Sequence, residues 1–297
     1  MANYNLKNIL NPIKIKELAR TWINEDVSSF DIQGFVVGDT PVTAIIYCKQ
    51  EGILAGFPFV QAVFEELGVN PPKFEYDEGT FINEASSNNK IKIASVHGPA
   101  RLILLAERTI LNVLSRCSGI ATKCHRIGTK LKEMSWNGRL AATRKTTPGF
   151  RMVEKYGVLV GQADTHRYDL STMIMLKDNH VKISGHENIA TIVPVVKKCA
   201  GFSCRIEVEC SSFEDAHQAA EAGANIIMLD NVSAIQGAEI SRNLRSKHPS
   251  ILIEASGGIT ETNVYEYARP EYDIISMSSL IQGCPSVDFS MKIIENP

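Results

Sequence analysis

The sequence contains no Cys-x-x-Cys pair, although it has seven cysteines, at 48, 117, 124, 199, 204, 210 and 284. An odd, scattered set of that kind argues against a disulfide framework and against a structural zinc site, and it fits a reducing, intracellular setting. No uninterrupted apolar run approaches the roughly 18–20 residues that a membrane-crossing helix needs. The opening residues, M-A-N-Y-N-L-K-N-I-L-N-P, carry too short an apolar patch for a signal peptide. The expected location is the cytoplasm, with the nucleus also open to the protein. An excess of one charge is missing too: the formal net charge is -2 over 297 residues, with a pI near 6.4. Nucleic-acid binders usually carry surplus positive charge, so that class is set aside. There is no Gly-x-Ser-x-Gly elbow, no cysteine with an evident histidine partner, and His186-Glu187 lacks the second histidine of a zinc-protease helix. Nucleophilic catalysis and zinc hydrolysis are not expected.

What the chain does have is a local concentration of cations. T-R-K-T-T-P-G-F-R at 143–151, T-H-R-Y-D-L at 165–170 and M-L-K-D-N-H at 175–180 gather Arg144, Lys145, Arg151, His166, Arg167 and Lys177. Clustered cations in a nearly balanced chain suit a small, multiply anionic substrate. Guanidinium groups pair bidentately with carboxylate and phosphate oxygens, so the set points to a dicarboxylate or a pyrophosphate. The alternative is a set of solvated loop charges.

Hydrophobic residues make up 44% of the chain, enough for one or two domains with a large core. Residues 12–26 read as a helix with Pro12 near its start. Strands are expected at 42–48 and 91–96, a helix at 58–67, and a loop over the polar run 83–90. A long helical pattern covers about 99–133, with Gly119 as a point where it is interrupted or kinked. Arg108, Asn112 and Arg116 share one face of it by their spacing of four. That face is either solvated or offered to a ligand or a neighbouring subunit.

From residue 138 the rhythm changes to alternating strands and helices. Strands are expected at 139–143, 172–176, 205–209, 225–229, 251–255 and 273–277, which implies a parallel sheet, open or closed into a barrel. Arg144, Lys177, Glu209, Asp230, Ser256 and Ser278 then fall just after strands, on the edge where parallel-sheet folds bind ligands. Arg205, Glu207 and Glu209 alternate with Ile206 and Val208, so period two puts three charges on one face. Helices cover both faces of a doubly wound sheet, whereas a barrel interior lets such charges pair with each other; a barrel is favoured. Glu209 and Asp230 end consecutive strands and offer hard oxygen ligands for Mg²⁺, or anionic support for a sugar cation; a helix cap and a core ion pair are the plainer alternatives. Ser256, Gly257 and Gly258 lie between a strand and a helix, where backbone N–H groups cradle a phosphate. S-M-S-S at 276–279, with Ser278, completes the nest.

These segments, together with I-E-V-E-C, M-L-D-N, E-A-S-G-G-I, L-A-E-R-T-I-L-N-V-L-S-R-C-S-G-I-A at 105–121 and D-F-S-M-K at 288–292, closely resemble the quinolinate phosphoribosyltransferase family over nearly the whole chain. The resemblance implies an N-terminal α/β sandwich domain (1–118) with a long linking helix, an incomplete (β/α) TIM-like barrel (119–280), and a C-terminal segment (281–297) returning to the first domain. It implies an enzyme of NAD biosynthesis that transfers the phosphoribosyl group of phosphoribosyl pyrophosphate to quinolinate with loss of CO₂, using Mg²⁺. By the same likeness Arg108 acts from a neighbouring subunit of a homodimer or assembly of dimers, a hexamer included. Arg144, His166 and Arg167 surround quinolinate, Lys145 and Lys177 reach substrate or pyrophosphate, and Glu209 and Asp230 lie near the ribose and the metal. Ser256, Gly257 and Gly258 hold the 5′-phosphate. One departure stands out: many relatives have glycine where this chain has Ser278, and serine does not adopt positive φ as cheaply. The rival readings are a transferase for another nitrogenous acid, or for nicotinate without decarboxylation, and an anion-binding scaffold without turnover.

Overall fold

The computed structural model describes residues 5–86, 88–186 and 188–294. Glu187 of the His186-Glu187 pair, Ser87 of the polar loop and the last residues of the 281–297 segment lie outside the described residues. The chain divides into two compact units. One gathers Met1–His125, Thr147–Gln162 and Cys284–Pro297; the other gathers Arg126–Thr146 and Ala163–Gly283. No helix among the described residues is long and apolar enough to cross a membrane.

The first unit is built on a four-stranded antiparallel sheet. Strand Pro41–Cys48 pairs on one side with Phe289–Ile294 and on the other with Ile91–Pro99, which in turn pairs with Lys73–Phe74. The first helix forms over Pro12–Asp26, where its signals put it: Pro12 sits at its start and the Asn11 side chain accepts from the Ile13 N–H at 3.0 Å. The Phe57–Glu66 helix buries Phe59, Val60, Val63 and Phe64 against Ile46 and Ile93 in the same core. The Glu78 carboxylate accepts from the Gly56 and Phe57 N–H groups at 2.7 and 2.9 Å, satisfying the start of that helix.

The long helix is continuous over Ala100–Glu133, so the expected interruption at Gly119 does not occur. Glycine stands there for a packing reason. A Cβ would lie 2.1 Å from the Pro285 carbonyl oxygen, so only glycine lets the 285–286 chain pass so near the helix. Arg116 is turned to the structure rather than to a ligand. Its guanidinium donates to the buried Glu154 carboxylate at 2.8 and 3.0 Å, and Glu154 also accepts the Thr147 N–H at 2.8 Å.

The second unit is a six-stranded parallel sheet. Its order in space is Arg139–Ala141, Ile274–Ser276, Leu252–Ser256, Ile226–Asp230, Ile206–Cys210 and Ile174–Leu176. All six strands were expected, with ends shifted by one or two residues. Asp164 adds a single parallel bridge to Ala141, outside the first edge. The chain from 165 to 173 therefore runs from one edge of the sheet to the other. Six strands are two fewer than a closed barrel has, so the fold is the expected α/β class with an incomplete barrel.

The 206–210 strand departs from expectation in one respect. Arg205 precedes the strand and is exposed, so it does not pair with Glu207. Glu207 instead points inward beside Glu254 of the Leu252–Ser256 strand, and both are almost completely buried.

Candidate active site

The site is assembled at the carboxyl ends of the parallel strands of the second unit. Period two stacks its inward side chains in layers. Glu207 and Glu209 share the inner face of one strand, and Glu254 and Ser256 share that of another. Asp230 is level with Ser256 in the pairing register. In register Glu209 is level with Met228 and Glu254, Asp230 and Ser256 lie one inward position nearer the strand ends, and Glu207 lies one position deeper. Glu209 and Asp230 are thus the upper acids, set apart from the buried Glu207 and Glu254.

Two of the predicted lysines reach the upper acids. Lys177 follows the Ile174–Leu176 strand, and its ammonium contacts the Glu209 carboxylate. Asp230 is half-buried. Burial raises its pKa above the usual carboxylate range, the Glu209 charge raises it further, and the Lys177 and Lys145 charges pull it back. Lys145, Lys177, Glu209 and Asp230 are therefore within electrostatic reach of one another. Asn231, absent from the sequence-based set, donates from Nδ2 to Asp230 at 2.6 Å. It sits at φ +57°, a conformation that asparagine tolerates better than most residues.

Of the two arginines, Arg167 lies the deeper. Arg167 is partly buried and its pKa is lowered, first by burial and then by the charge of Arg144; Glu207 and Glu254 offset part of this. Arg144 itself is exposed. His166 is not one of the cations. Its Nδ1 accepts the Arg167 backbone N–H at 2.8 Å, so that nitrogen carries no proton. Its Nε2 faces the Glu254 carboxylate at 3.1 and 3.2 Å. Both carboxyl oxygens of Glu207 are buried, and its carboxyl group faces that of Glu254. Burial, and then the Glu254 charge, push its pKa far above the carboxylate range, so the pair carries close to one negative charge.

One potential ligand atom each from His166, Glu207 and Glu254 lies within 4.8 Å of the others. A cation bound there would need a bare Nε2, and the hydrogen bond at Nδ1 places the proton on Nε2. Glu209 and Asp230 offer a cation two hard carboxylates at adjacent strand ends.

The turn expected to cradle a phosphate is shaped by its glycines. Gly257 and Gly258 take φ +85° and +61°. A Cβ on Gly257 would meet the Asn231 nitrogen at 2.4 Å, so the two turns lie against each other. The Ser276 hydroxyl donates to Ser256 Oγ at 3.1 Å. Ser278 opens a short 3-10 turn, Ser278–Leu280, without positive φ, so serine is unstrained at the position where many relatives have glycine.

Arg108 belongs to the first unit. It is exposed and lines a cavity of about 380 Å³ with Asp26, Phe30, Asp31 and Leu104. All seven cysteines are free thiols.

Two family models match the chain: the quinolinate phosphoribosyl transferase N-terminal domain over residues 26–118, and the C-terminal domain over residues 120–292. A nicotinate-nucleotide pyrophosphorylase [carboxylating] of Rattus norvegicus is 41% identical over 288 residues, covering 97% of this chain and 94% of that protein. The protein of the same name in Dictyostelium discoideum is 42% identical, with 97% and 98% covered. The solved structure of the nicotinate-nucleotide pyrophosphorylase from Francisella tularensis superposes with a TM-score of 0.86 at 29% identity, covering 98% of this chain and all of that one.

Proposed function

This chain belongs to the quinolinate phosphoribosyl transferase family, and from that premise we propose how its own residues carry out the family's reaction. The enzyme transfers the 5-phosphoribosyl group of phosphoribosyl pyrophosphate to quinolinate, yielding nicotinate mononucleotide, pyrophosphate and CO₂ for NAD synthesis. The single observation that supports the assignment of roles is the Lys177–Glu209 contact at the strand ends, with Lys145 and Asp230 in electrostatic range of it.

An aromatic dianion and a sugar bearing phosphate and pyrophosphate repel each other, so the site must offset their charges and hold them in line. Arg144 and Arg167 take the quinolinate carboxylates. Lys145 and Lys177 stabilise the departing pyrophosphate, which leaves with the electron pair of the C1–O bond. Ser256, Gly257, Gly258 and Ser278 hold the 5′-phosphate with backbone N–H groups and hydroxyls. Glu209 and Asp230 favour the positive charge that develops on the ribose. The pyridine nitrogen attacks C1. The resulting pyridinium accepts the electron pair freed when the 2-carboxylate leaves as CO₂, and a proton then replaces it on the ring.

Glu209 and Asp230 are also the residues that would hold Mg²⁺; burial first, and then the Glu209 charge, make a lone carboxylate at Asp230 costly, a cost that a cation would offset. When bound, Mg²⁺ supplies charge neutralisation for the pyrophosphate. A homodimer, or an assembly of such dimers, is supported by Phe30, Ile32, Phe35 and Val36. These apolar side chains are between 76% and 91% exposed next to the Arg108 cavity, more open apolar surface than one segment usually leaves to water. Arg108 acts in the partner's site. The scattered cysteines, with no Cys-x-x-Cys pair in the sequence, support a cytoplasmic location.

The test is a coupled assay. Purified protein with quinolinate, phosphoribosyl pyrophosphate and Mg²⁺ is expected to release nicotinate mononucleotide and CO₂ in equal amounts. Product from nicotinate without CO₂, or binding of the sugar pyrophosphate without turnover, would overturn the assignment.

A further inference from the structure

We propose that Glu254 is a positioning residue for quinolinate: it receives the Nε2 proton of His166, which leaves Nδ1 to accept the Arg167 backbone N–H and so fixes the guanidinium that takes a substrate carboxylate. The proposal rests on the assignment of Arg167 to quinolinate and adds two side chains that lie behind it.

The geometry leaves His166 no free nitrogen. A backbone N–H can only donate, so the 2.8 Å contact from Arg167 requires a lone pair on Nδ1. The remaining proton is then on Nε2, where Glu254 accepts it at 3.1 and 3.2 Å. His166 is therefore a neutral imidazole, wedged between a carboxylate and a peptide group. Its side chain is 8% exposed and that of Glu254 is 1% exposed, so the bond between them lies inside the sheet.

The backbone around the ring is fixed as well. His166 adopts φ +57°, a conformation that costs a non-glycine residue energy and persists only where its surroundings impose it. The imposing contacts are visible. The Asp164 backbone is bonded to Leu140 and Ala142 of the neighbouring strand, and Asp164 Oδ1 accepts the His166 N–H at 2.8 Å. Beyond the ring, the Arg167 guanidinium donates to Met175 Sδ at 3.4 Å and lies within reach of the charges of Arg144, Glu207 and Glu254. The chain from 165 to 173 crosses from one edge of the sheet to the other, so no ladder holds it. The Glu254–His166–Arg167 relay ties this crossing segment to the centre of the sheet. Partners of this kind set the orientation and tautomer of the side chains that touch the ligand.

The experiment reads the tautomer first, in the unaltered enzyme. Imidazole ¹⁵N spectra of histidine-labelled protein, with His166 assigned by loss of its signals in His166→Gln, are expected to show a neutral ring protonated on Nε2. Added Zn²⁺ should leave those signals in place. An imidazolium, an Nδ1-protonated ring, or a Zn²⁺-dependent shift would overturn the proposal, whatever the enzyme's substrate proves to be. Kinetics supply the second reading. Glu254→Met removes the acceptor and should raise KM for quinolinate roughly tenfold or more, the cost of leaving a buried donor unpaired. KM for phosphoribosyl pyrophosphate should stay within about twofold. Glu254→Gln keeps an acceptor oxygen and should restore most of the quinolinate affinity. Equal rises in both KM values, or no rescue by Gln, would mean that Glu254 acts only on the fold. Absence of turnover in the unaltered enzyme would count against the reaction and leave the tautomer result standing.

Discussion

Lys177, the lysine proposed to act on the departing pyrophosphate, need contribute little to folding. Its side chain is 44% exposed where it meets Glu209, and pairs that open to water contribute about 0–1 kcal/mol. An electrostatic contact to a charge that develops during reaction is worth more, about a hundredfold to a thousandfold in rate. Lys177→Ala is therefore expected to lower kcat by about two orders of magnitude, with the thermal midpoint within about 4 °C of the unaltered enzyme. Stopped assays and a melting curve on one preparation check both halves. The cations were legible in the sequence because they crowd together in a chain of nearly zero net charge. Glu254 was not, because its significance lies in His166 and Glu207, which are remote in sequence. One signal was available: Glu254 stands two residues before Ser256 on a strand, so period two puts it on the same face as the phosphate nest. His166 was read as a cation from its residue type, and only the contact at Nδ1 reveals a neutral ring.

Among the elements, the turn at 256–258 carries the sharpest constraint. Gly257 combines φ +85° with a Cβ position 2.4 Å from the Asn231 nitrogen. Gly257→Ala must either strain the turn or push the Asp230–Asn231 segment away. A left-handed non-glycine residue costs roughly 1–2 kcal/mol, equivalent to about tenfold in binding. The expected result is a rise of about that size in KM for phosphoribosyl pyrophosphate, with KM for quinolinate nearly unchanged, as read from initial rates with each substrate varied in turn. The elements themselves were largely legible. Pro12 and Asn11 mark a helix start, and the strands of the second unit announce themselves by apolar runs between amphipathic helices. Gly119 was misread because its reason is the Pro285 carbonyl, a contact that no local pattern encodes. Arg116 was left open for a similar reason, since its partner Glu154 belongs to a distant helix.

For the whole molecule, a site completed by a second copy makes a quantitative prediction. Arg108→Ala and Lys177→Ala variants should each be nearly inactive. Random re-pairing of the two gives half mixed dimers, each with one intact site, so mixing should restore roughly a quarter of the unaltered rate. Activity after co-expression or subunit exchange, measured on verified mixed dimers, checks it; no recovery would remove Arg108 from the shared site. At this scale the parallel sheet was legible from the alternation of strands and helices, while the antiparallel sheet of the first unit was not, because it draws on separated stretches of chain. That interleaving has a consequence for synthesis. Strand Pro41–Cys48 finds one of its two neighbours in Phe289–Ile294, and Lys49 meets Asp288 across a separation of 239 residues. At roughly 5–20 residues per second, the ribosome needs some tens of seconds to deliver that neighbour. Throughout that interval the nascent chain carries a strand with an open edge, the kind of surface that recruits other chains. Yield in the cell should therefore depend on how well holding chaperones cover that one edge, rather than on the stability of the finished enzyme.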